Sequence, residues 1–275
     1  MKTKLQTKRP ATLCAVLALM VSFVQADTLL LDFGPTPPTG ANLTNSPFHA
    51  VTGSSLSAWN ILGTADSSDL VWGDGTQATD VSINLGVSPG NDIINFDNQP
   101  STSNALGMAD YVEGSVFDGD SVGTDGLFSG STGQQNVIGL KIGGLPLDTY
   151  FVNIVGINTN IDSDVFNVAN RVRMNIGAFA TTDVGTLDIE GLDFTSVANT
   201  VYDTWSEGGN YARFAVTLTE DNPYLTIFTV SDVASEGRGF LNTVTVTTIP
   251  EPSTLLLVLG FGLLGLCTFR KRMRS

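Results

Sequence analysis

The sequence predicts an all-β body, a β-sandwich of the jelly-roll kind, flanked by an N-terminal signal peptide and a single C-terminal transmembrane helix. Two observations predict this fold: short runs in which apolar and polar residues alternate, and clusters of Gly, Asn, Asp, Pro and Ser between those runs. A third is that no stretch of residues 27–249 keeps a helical period for three turns. Many short strands separated by turn residues are typical of sandwiches and jelly rolls.

The first 26 residues have the composition of a secretory signal peptide. Basic residues precede an apolar run at residues 11–23, and a small-residue cleavage site ends at Ala26. An apolar run of this length is too short to span a bilayer comfortably, which argues against an uncleaved anchor. The sequence therefore predicts cleavage after Ala26 and a mature chain that begins at Asp27.

Residues 27–249 are predicted to form one β-sandwich domain, since a chain of this length can bury an adequate core. The clearest strand signal is at residues 212–218, where Phe214 and Val216 share one face and Arg213 lies on the other. The predicted strands, in chain order, are residues 28–33, 80–85, 136–142, 150–156, 171–176, 212–218, 224–230 and 240–247. Residues 88–133 are predicted to form long loops, either a binding surface or an insertion without a role.

The charge of the body excludes two classes of partner. Residues 27–249 contain five cations against 26 of the 27 acidic residues, Glu251 being the exception, for a formal charge of −21. Such a surface repels nucleic-acid phosphates and anionic membranes, so neither is expected to bind the body. A solvated acidic exterior and the capacity to hold divalent cations are both consistent with this charge.

Cysteine and histidine are almost absent from the body. Cys14 lies in the signal peptide and Cys267 in the apolar C-terminal run, and residues 27–249 contain no cysteine. No disulfide or cysteine zinc site is therefore expected in the body. The one histidine, His49, cannot supply a histidine zinc cluster. It also lies far upstream of Ser121, where a Gly-Asp-Ser sequence would need a histidine base for esterase chemistry. No catalytic residue is therefore assigned.

A glycine-rich loop places three carboxylates close together in the sequence: Asp118, Asp120 and Asp125. Calcium takes six to eight oxygen ligands, and such a loop could supply some of them to a structural ion. The spacing lacks the final glutamate of an EF-hand, and solvated turn aspartates explain the same residues. The sequence is compatible with both a structural calcium site and solvated turn aspartates at these positions.

Three tryptophans could stack on sugar rings: Trp59, Trp72 and Trp205. Trp72 follows Leu70 and Val71 in a strand-like run and is predicted to be buried. Trp205 precedes a Ser-Glu-Gly-Gly-Asn segment and is predicted to lie in a loop, which makes it the candidate ligand-binding residue. Core or rim packing is the alternative for each of the three.

The last 26 residues combine a Pro-Glu-Pro tripeptide, a short apolar run and a basic end: Pro250, Glu251 and Pro252, then residues 254–269, then Arg270, Lys271, Arg272 and Arg274. The apolar run is at the short limit for crossing a hydrocarbon core of about 30 Å, and the cations favour the cytoplasmic side. The sequence therefore predicts a transmembrane helix at about 254–269, with the body outside and a basic cytoplasmic tail.

This order of parts resembles the PEP-CTERM signal of bacterial proteins, which exosortases process. Exosortases are membrane proteases that recognise the tripeptide. The resemblance covers residues 250–275 and implies an exosortase as partner, with an inner-membrane precursor in a Gram-negative envelope. It further implies cleavage near Pro250–Glu251–Pro252 and delivery of the body to the cell surface or extracellular matrix.

Five short motifs occur along the body: LDFGP at 31–35, NLT at 42–44, SVGTDG at 121–126, GLP at 144–146 and RGFLN at 238–242. They resemble a recurrent ectodomain of PEP-CTERM proteins whose members have no assigned chemistry. The opening also resembles the first strand of galactose-binding-like jelly rolls attached to carbohydrate-active enzymes. This likeness supports the fold and not a ligand.

Two classes of function are compatible with these observations. The leading hypothesis is a non-catalytic surface or matrix protein that associates with exopolysaccharide or another glycan through a face of the jelly roll. The alternative is a small secreted carbohydrate-active hydrolase, in which two carboxyl groups act across a sugar bond. The sequence distinguishes no such pair among its acidic residues, so the non-catalytic hypothesis leads.

Overall fold

The structure is a computed structural model that describes thirteen stretches of the body: residues 27–34, 47–48, 58–89, 92–100, 105–106, 116–117, 123, 125–129, 136–157, 173–199, 201, 203–232 and 239–249. Residues 27–249 form one compact unit. The predicted signal peptide, transmembrane helix and basic tail lie outside the described residues. Within these stretches the chain forms strands and turns, and it contains no helix long and apolar enough to cross a membrane.

Fifteen strands occur in the described residues, in this order: β1 Thr28–Asp32, β2 Asn60–Ile61, β3 Ser82–Pro89, β4 Ile93–Asn95, β5 Ala105–Leu106, β6 Gly126–Ser129, β7 Asn136–Gly143, β8 Thr149–Val155, β9 Met174–Thr181, β10 Thr186–Asp188, β11 Thr195–Val197, β12 Ala212–Thr217, β13 Tyr224–Ser231, β14 Gly239–Leu241 and β15 Thr243–Thr248. The prediction of an all-β fold is confirmed for this part of the chain.

The strands form three sheets. A five-stranded sheet has the order β12-β8-β15-β1-β2, a seven-stranded sheet has the order β10-β4-β3-β7-β13-β9-β11, and a three-stranded sheet has the order β14-β6-β5. The ladders between these strands are antiparallel except for β1 with β2, which is parallel. The eight strands of five or more residues divide evenly, four in the five-stranded sheet and four in the seven-stranded sheet.

The main core lies between these two sheets. Alternate residues of β1 and β8, such as Leu31 and Val152, meet alternate residues of β7 and β13, such as Leu140 and Ile227, in one buried cluster. Each is at most 1% exposed. Since successive side chains of a strand point to opposite faces, each sheet contributes one apolar face to this core.

A tight connection carries the chain from the seven-stranded sheet to the five-stranded sheet between β7 and β8. Gly144 has a φ of +77°, and a Cβ there would collide with the carbonyl of Asp80. After the turn, the buried Tyr150 donates a hydrogen bond from its hydroxyl to the carbonyl of Pro146 at 2.6 Å. This contact ties the start of β8 back to the loop before it.

The eight predicted strands correspond to the eight long strands, with three differences. β3 begins at Ser82, two residues later than predicted, and continues to Pro89, because its last residues pair with the start of β7. β9 begins later than predicted, at Met174, and continues to Thr181. The strand predicted at residues 240–247 is interrupted at Asn242, where the chain passes from the three-stranded sheet to the five-stranded sheet. The segment 88–133, predicted as loops, also contains β4, β5 and β6.

A second apolar cluster covers the outer face of the seven-stranded sheet, where Ile94 and Phe228 are buried and Leu187 packs against them. A cation is fixed on the same face. Lys141 is 9% exposed, and its ammonium donates hydrogen bonds to Asp183 Oδ1 at 2.6 Å and to the Val184 carbonyl at 2.9 Å. The ammonium also lies 5.2 Å from the Phe96 ring and 5.4 Å from the Tyr224 ring. The segment that leads into β10 is thereby attached to β7.

Asp183→Asn is expected to lower the melting temperature at neutral pH by about 2–4 °C, because it leaves the buried ammonium without its counter-ion. The hydrogen bond from Lys141 lowers the pKa of Asp183 below its ordinary value. The ion pair therefore stabilises the fold above the unfolded-state pKa of about 3.9, and this stability is lost as the pH falls through the lower folded-state pKa. Thermal melts across this range should show the two proteins converging at low pH.

Asp193→Asn, an exposed aspartate in the connection between β10 and β11, is the matched control and should melt like the wild type at every pH. A difference between Asp183→Asn and wild type that stays constant down to the lowest pH would contradict the assigned ion pair.

Candidate functional site

The outer face of the five-stranded sheet carries the candidate functional residues. Leu29 and Leu31 of β1 face the main core, so Thr28, Leu30 and Asp32 face outwards. Residues paired in register share a face, and the outward set on the neighbouring strands is therefore Thr243, Thr245 and Thr247 of β15, Phe151, Asn153 and Val155 of β8, and Arg213, Ala215 and Thr217 of β12.

This face has two ends that differ in their relation to the chain termini. Thr28 pairs with Thr247, so the first and last strands of the body begin and finish side by side, at what we term the near end. Asp32 pairs with Thr243 at the opposite end, which we term the far end. Phe151 belongs to the near end, since it pairs with Thr247.

An aromatic cluster covers the far end. The Trp205 ring centroid lies 5.1 Å from that of Phe48, 5.4 Å from that of Phe117 and 6.3 Å from that of Tyr211. Val155 of β8 forms part of the base of this cluster, and Trp59 packs against it. Trp205 is half-buried, so the far-end aromatic cluster combines a packed interior with a partly accessible indole.

The loop that carries Trp205 is held by one buried amide. Asn210 is 0% exposed, and its side chain donates hydrogen bonds to the carbonyls of Val201 and Thr204 at 3.0 and 2.8 Å. Its Oδ1 accepts a hydrogen bond from the backbone N–H of Ser206 at 2.9 Å. These three bonds fix the residues on both sides of Trp205. The Ser-Glu-Gly-Gly-Asn segment is therefore a turn stabilised by the side chain of Asn210.

The indole N–H groups of Trp205 and Trp59 are buried and have no hydrogen-bond acceptor within the described part of the chain. The Trp205 donor is therefore not at an exposed rim, where a sugar platform would present its N–H to a ligand. Its role in ligand binding stays a prediction. Trp72 is half-buried and packs against the main core.

A cation and an aromatic ring occupy the exposed part of the same face. Arg213 donates from Nε to Asn153 Oδ1 at 2.7 Å. Its guanidinium carbon lies 5.7 Å from the Tyr211 ring and 5.9 Å from the Phe151 ring, and Phe151 is 42% exposed. The alternation of residues 212–218 places Arg213 on the face opposite Phe214 and Val216, as the structure has it, but no functional role was assigned to it.

The predicted calcium loop is described only at Asp125, because Asp118 and Asp120 lie outside the described residues. Asp125 is 1% exposed, so it is a buried carboxyl group and not a solvated turn aspartate. The structure brings it close to Asp32 at the end of β1, a residue to which the sequence analysis assigned no role. Within the described part of the chain, no group of three or more His, Cys, Asp or Glu residues is arranged to hold a metal ion.

Asp32 is itself 1% exposed. Its Oδ1 accepts a hydrogen bond from the Thr243 hydroxyl at 3.0 Å, whereas its Oδ2 is buried and has no hydrogen-bond partner among the described residues. Burial raises the pKa of Asp32 well above its usual range, and the negative charge of Asp125 raises it further, against the opposing effect of the Thr243 hydrogen bond.

Three of the motifs identified in the sequence meet around these carboxyl groups. Asn242 of the RGFLN motif donates from Nδ2 to the Asp125 carbonyl at 2.7 Å, and its own carbonyl accepts from the Phe33 N–H at 2.8 Å. Gly34 of the LDFGP motif lies so close that a Cβ there would collide with the Asp125 carboxyl group. Gly126 is likewise required, because a Cβ would lie 2.7 Å from Asn242 Nδ2.

The comparisons with known proteins concern the tail more than the body. The family model of the PEP-CTERM protein-sorting motif matches residues 248–272, which confirms the resemblance predicted from the tail. No curated protein matches the chain. Among solved structures, an isomalto-dextranase of Arthrobacter globiformis T6, complexed with panose, is similar at a TM-score of 0.26 and 15% identity. The match covers 59% of this chain and 23% of that enzyme, and so distant a likeness carries no argument about function.

Proposed function

Because the chain carries a PEP-CTERM sorting motif, we propose that it is an exported protein of the cell surface or extracellular matrix that an exosortase sorts. The precursor is anchored in the inner membrane by residues 254–269, with the body outside and Arg270, Lys271, Arg272 and Arg274 in the cytoplasm. The observation that carries the proposal is the position of the motif. It begins at Thr248, which is the last residue of β15.

Both proposed processing sites fall outside the strands. Cleavage after Ala26 leaves one residue before β1, which begins at Thr28. Cleavage at Pro250, Glu251 or Pro252 leaves β15 complete, together with the bond from the Ile249 N–H to the Thr149 carbonyl at 2.8 Å. Processing at either site would therefore remove no hydrogen bond of the five-stranded sheet.

Replacing Pro250, Glu251 and Pro252 with alanine in the full chain is expected to abolish processing in a host that has an exosortase. The uncut precursor should accumulate in the inner-membrane fraction and be lost from the surface and the medium, because the protease recognises the tripeptide. Immunoblotting of fractions and the mass of the mature protein measure this.

Ser253→Ala combined with Thr254→Ala is the matched control and should be processed normally. Normal processing and delivery of the tripeptide variant would show that residues 250–275 act as a simple anchor.

For the body, we propose a non-catalytic, jelly-roll-like module that associates with exopolysaccharide or another glycan. The even division of the eight long strands between two sheets with a shared core supports the jelly-roll assignment. The position of the far-end aromatic cluster supports the binding role. It lies at the end of the sheet opposite the chain termini, and so away from the point where the membrane anchor joins the body.

Trp205→Ala is expected to weaken retention on the host's own exopolysaccharide about tenfold in affinity electrophoresis, the equivalent of roughly 1.4 kcal/mol. Phe151→Ala, at the near end of the same face, is the matched control and should be retained like the wild type. Both variants should be checked for a cooperative melt, because Trp205 also packs against Phe48 and Phe117.

Retention that depends on Phe151 and not on Trp205 would move the site to the near end. Release of reducing ends from the polysaccharide by the wild type would replace the binding module with the hydrolase alternative.

A further inference from the structure

Asp32 is a buried carboxyl group with a single hydrogen bond from a described side chain, that of Thr243. An ionised carboxylate withdrawn from water costs several kcal/mol unless a counter-ion, a metal or a set of hydrogen bonds compensates it. Of its two oxygens, Oδ1 accepts from the Thr243 hydroxyl, and Oδ2 is buried with no hydrogen-bond partner in the part of the chain that the structure describes. Asp125, which is equally buried, adds a second acidic group to the same place.

No basic side chain of the described residues compensates Asp32. Where both partners are described, the ion pairs join Lys141 to Asp183 and Arg173 to Asp232, and Arg213 binds Asn153. Thr243 supplies a single hydroxyl. The unpartnered Oδ2 therefore needs a positive charge or a proton from outside this set of side chains.

We propose that Asp32 and Asp125 are ligands of a buried calcium ion that joins the end of β1 to the loop before β6. Two carboxylates balance the charge of a divalent cation, and Ca²⁺ accepts carboxylate, hydroxyl, carbonyl and water oxygens in flexible geometry. Burial favours Ca²⁺ over Mg²⁺, because Mg²⁺ gives up its water reluctantly and demands near-ideal octahedral geometry. Sites in extracellular modules bind calcium at about 10⁻⁴ to 10⁻³ M, which suits an exported protein.

This calcium site differs from the one predicted from the sequence. That prediction used aspartates of one loop, whereas the structure pairs Asp125 with a residue of the first strand. An ion held there would cross-link segments more than ninety residues apart, beside the Asn242 bonds that already fix the loop.

The test is thermal unfolding of the full-length chain in detergent, with EGTA and with 1 mM added calcium or magnesium. An ion that binds only the folded state raises its stability, so calcium should raise the melting temperature by about 3–5 °C. Magnesium should have little effect. Isothermal titration should show one calcium site per chain.

Asp32→Asn and Asp125→Asn should each abolish the calcium response, and Asp203→Asn, an exposed aspartate of another loop, should retain it. A wild-type melting temperature that responds to neither EGTA nor calcium overturns the proposal, whatever the variants do. A calcium response that survives Asp32→Asn places the ion elsewhere and overturns it as well. If Asp32→Asn instead raises the melting temperature without calcium and the wild type ignores the ion, the pair holds a shared proton.

Discussion

The antiparallel pairing of β1 with β15 is the constraint on which the rest of the body depends. It runs from Thr28 opposite Thr247 to Asp32 opposite Thr243, and joins residues that are more than two hundred positions apart. β15 also pairs with β8 along its whole length. The five-stranded sheet therefore cannot form its centre until the last strand of the body is present, and such non-local pairing makes folding slow.

The same pairing explains why the functional features divide between two ends. Because the first and last strands are neighbours, both termini leave the body at the near end, where the sorting motif begins. At the far end, three segments that are distant in the sequence come into contact through Asn242, Gly34 and Gly126. The aromatic cluster and the buried carboxyl groups also depend on β15. Val155 of β8, in the aromatic cluster, and Asp32 of β1 both pair with Thr243 of β15, which holds their two strands together.

The sequence was sufficient for the long strands because each has five or more residues between turn clusters. β12 shows the alternation of a half-buried strand, and β1 and β13 are apolar or β-branched runs buried on both faces. The sequence was not sufficient for strands such as β4 and β6, because three or four residues show no period and their pairing partners are distant. Asp32 escaped notice for a related reason. A carboxyl group at the end of a strand is ordinarily solvated, whereas the fold buries Asp32 and brings Asp125 close to it. The loop position of Trp205 was predicted, but its ring contacts with Phe48 and Phe117 could not be, because no local pattern connects those residues to it.

The most direct test is to compare the thermal unfolding of two truncated chains, residues 27–249 and residues 27–242. The first ends just beyond β15, and the second lacks that strand. If β15 completes the body and the sorting motif lies outside it, the longer chain melts cooperatively at the temperature of the full-length protein, and the shorter chain shows no cooperative transition. A shorter chain that melts like the longer one, or a longer chain that does not fold, would contradict the account.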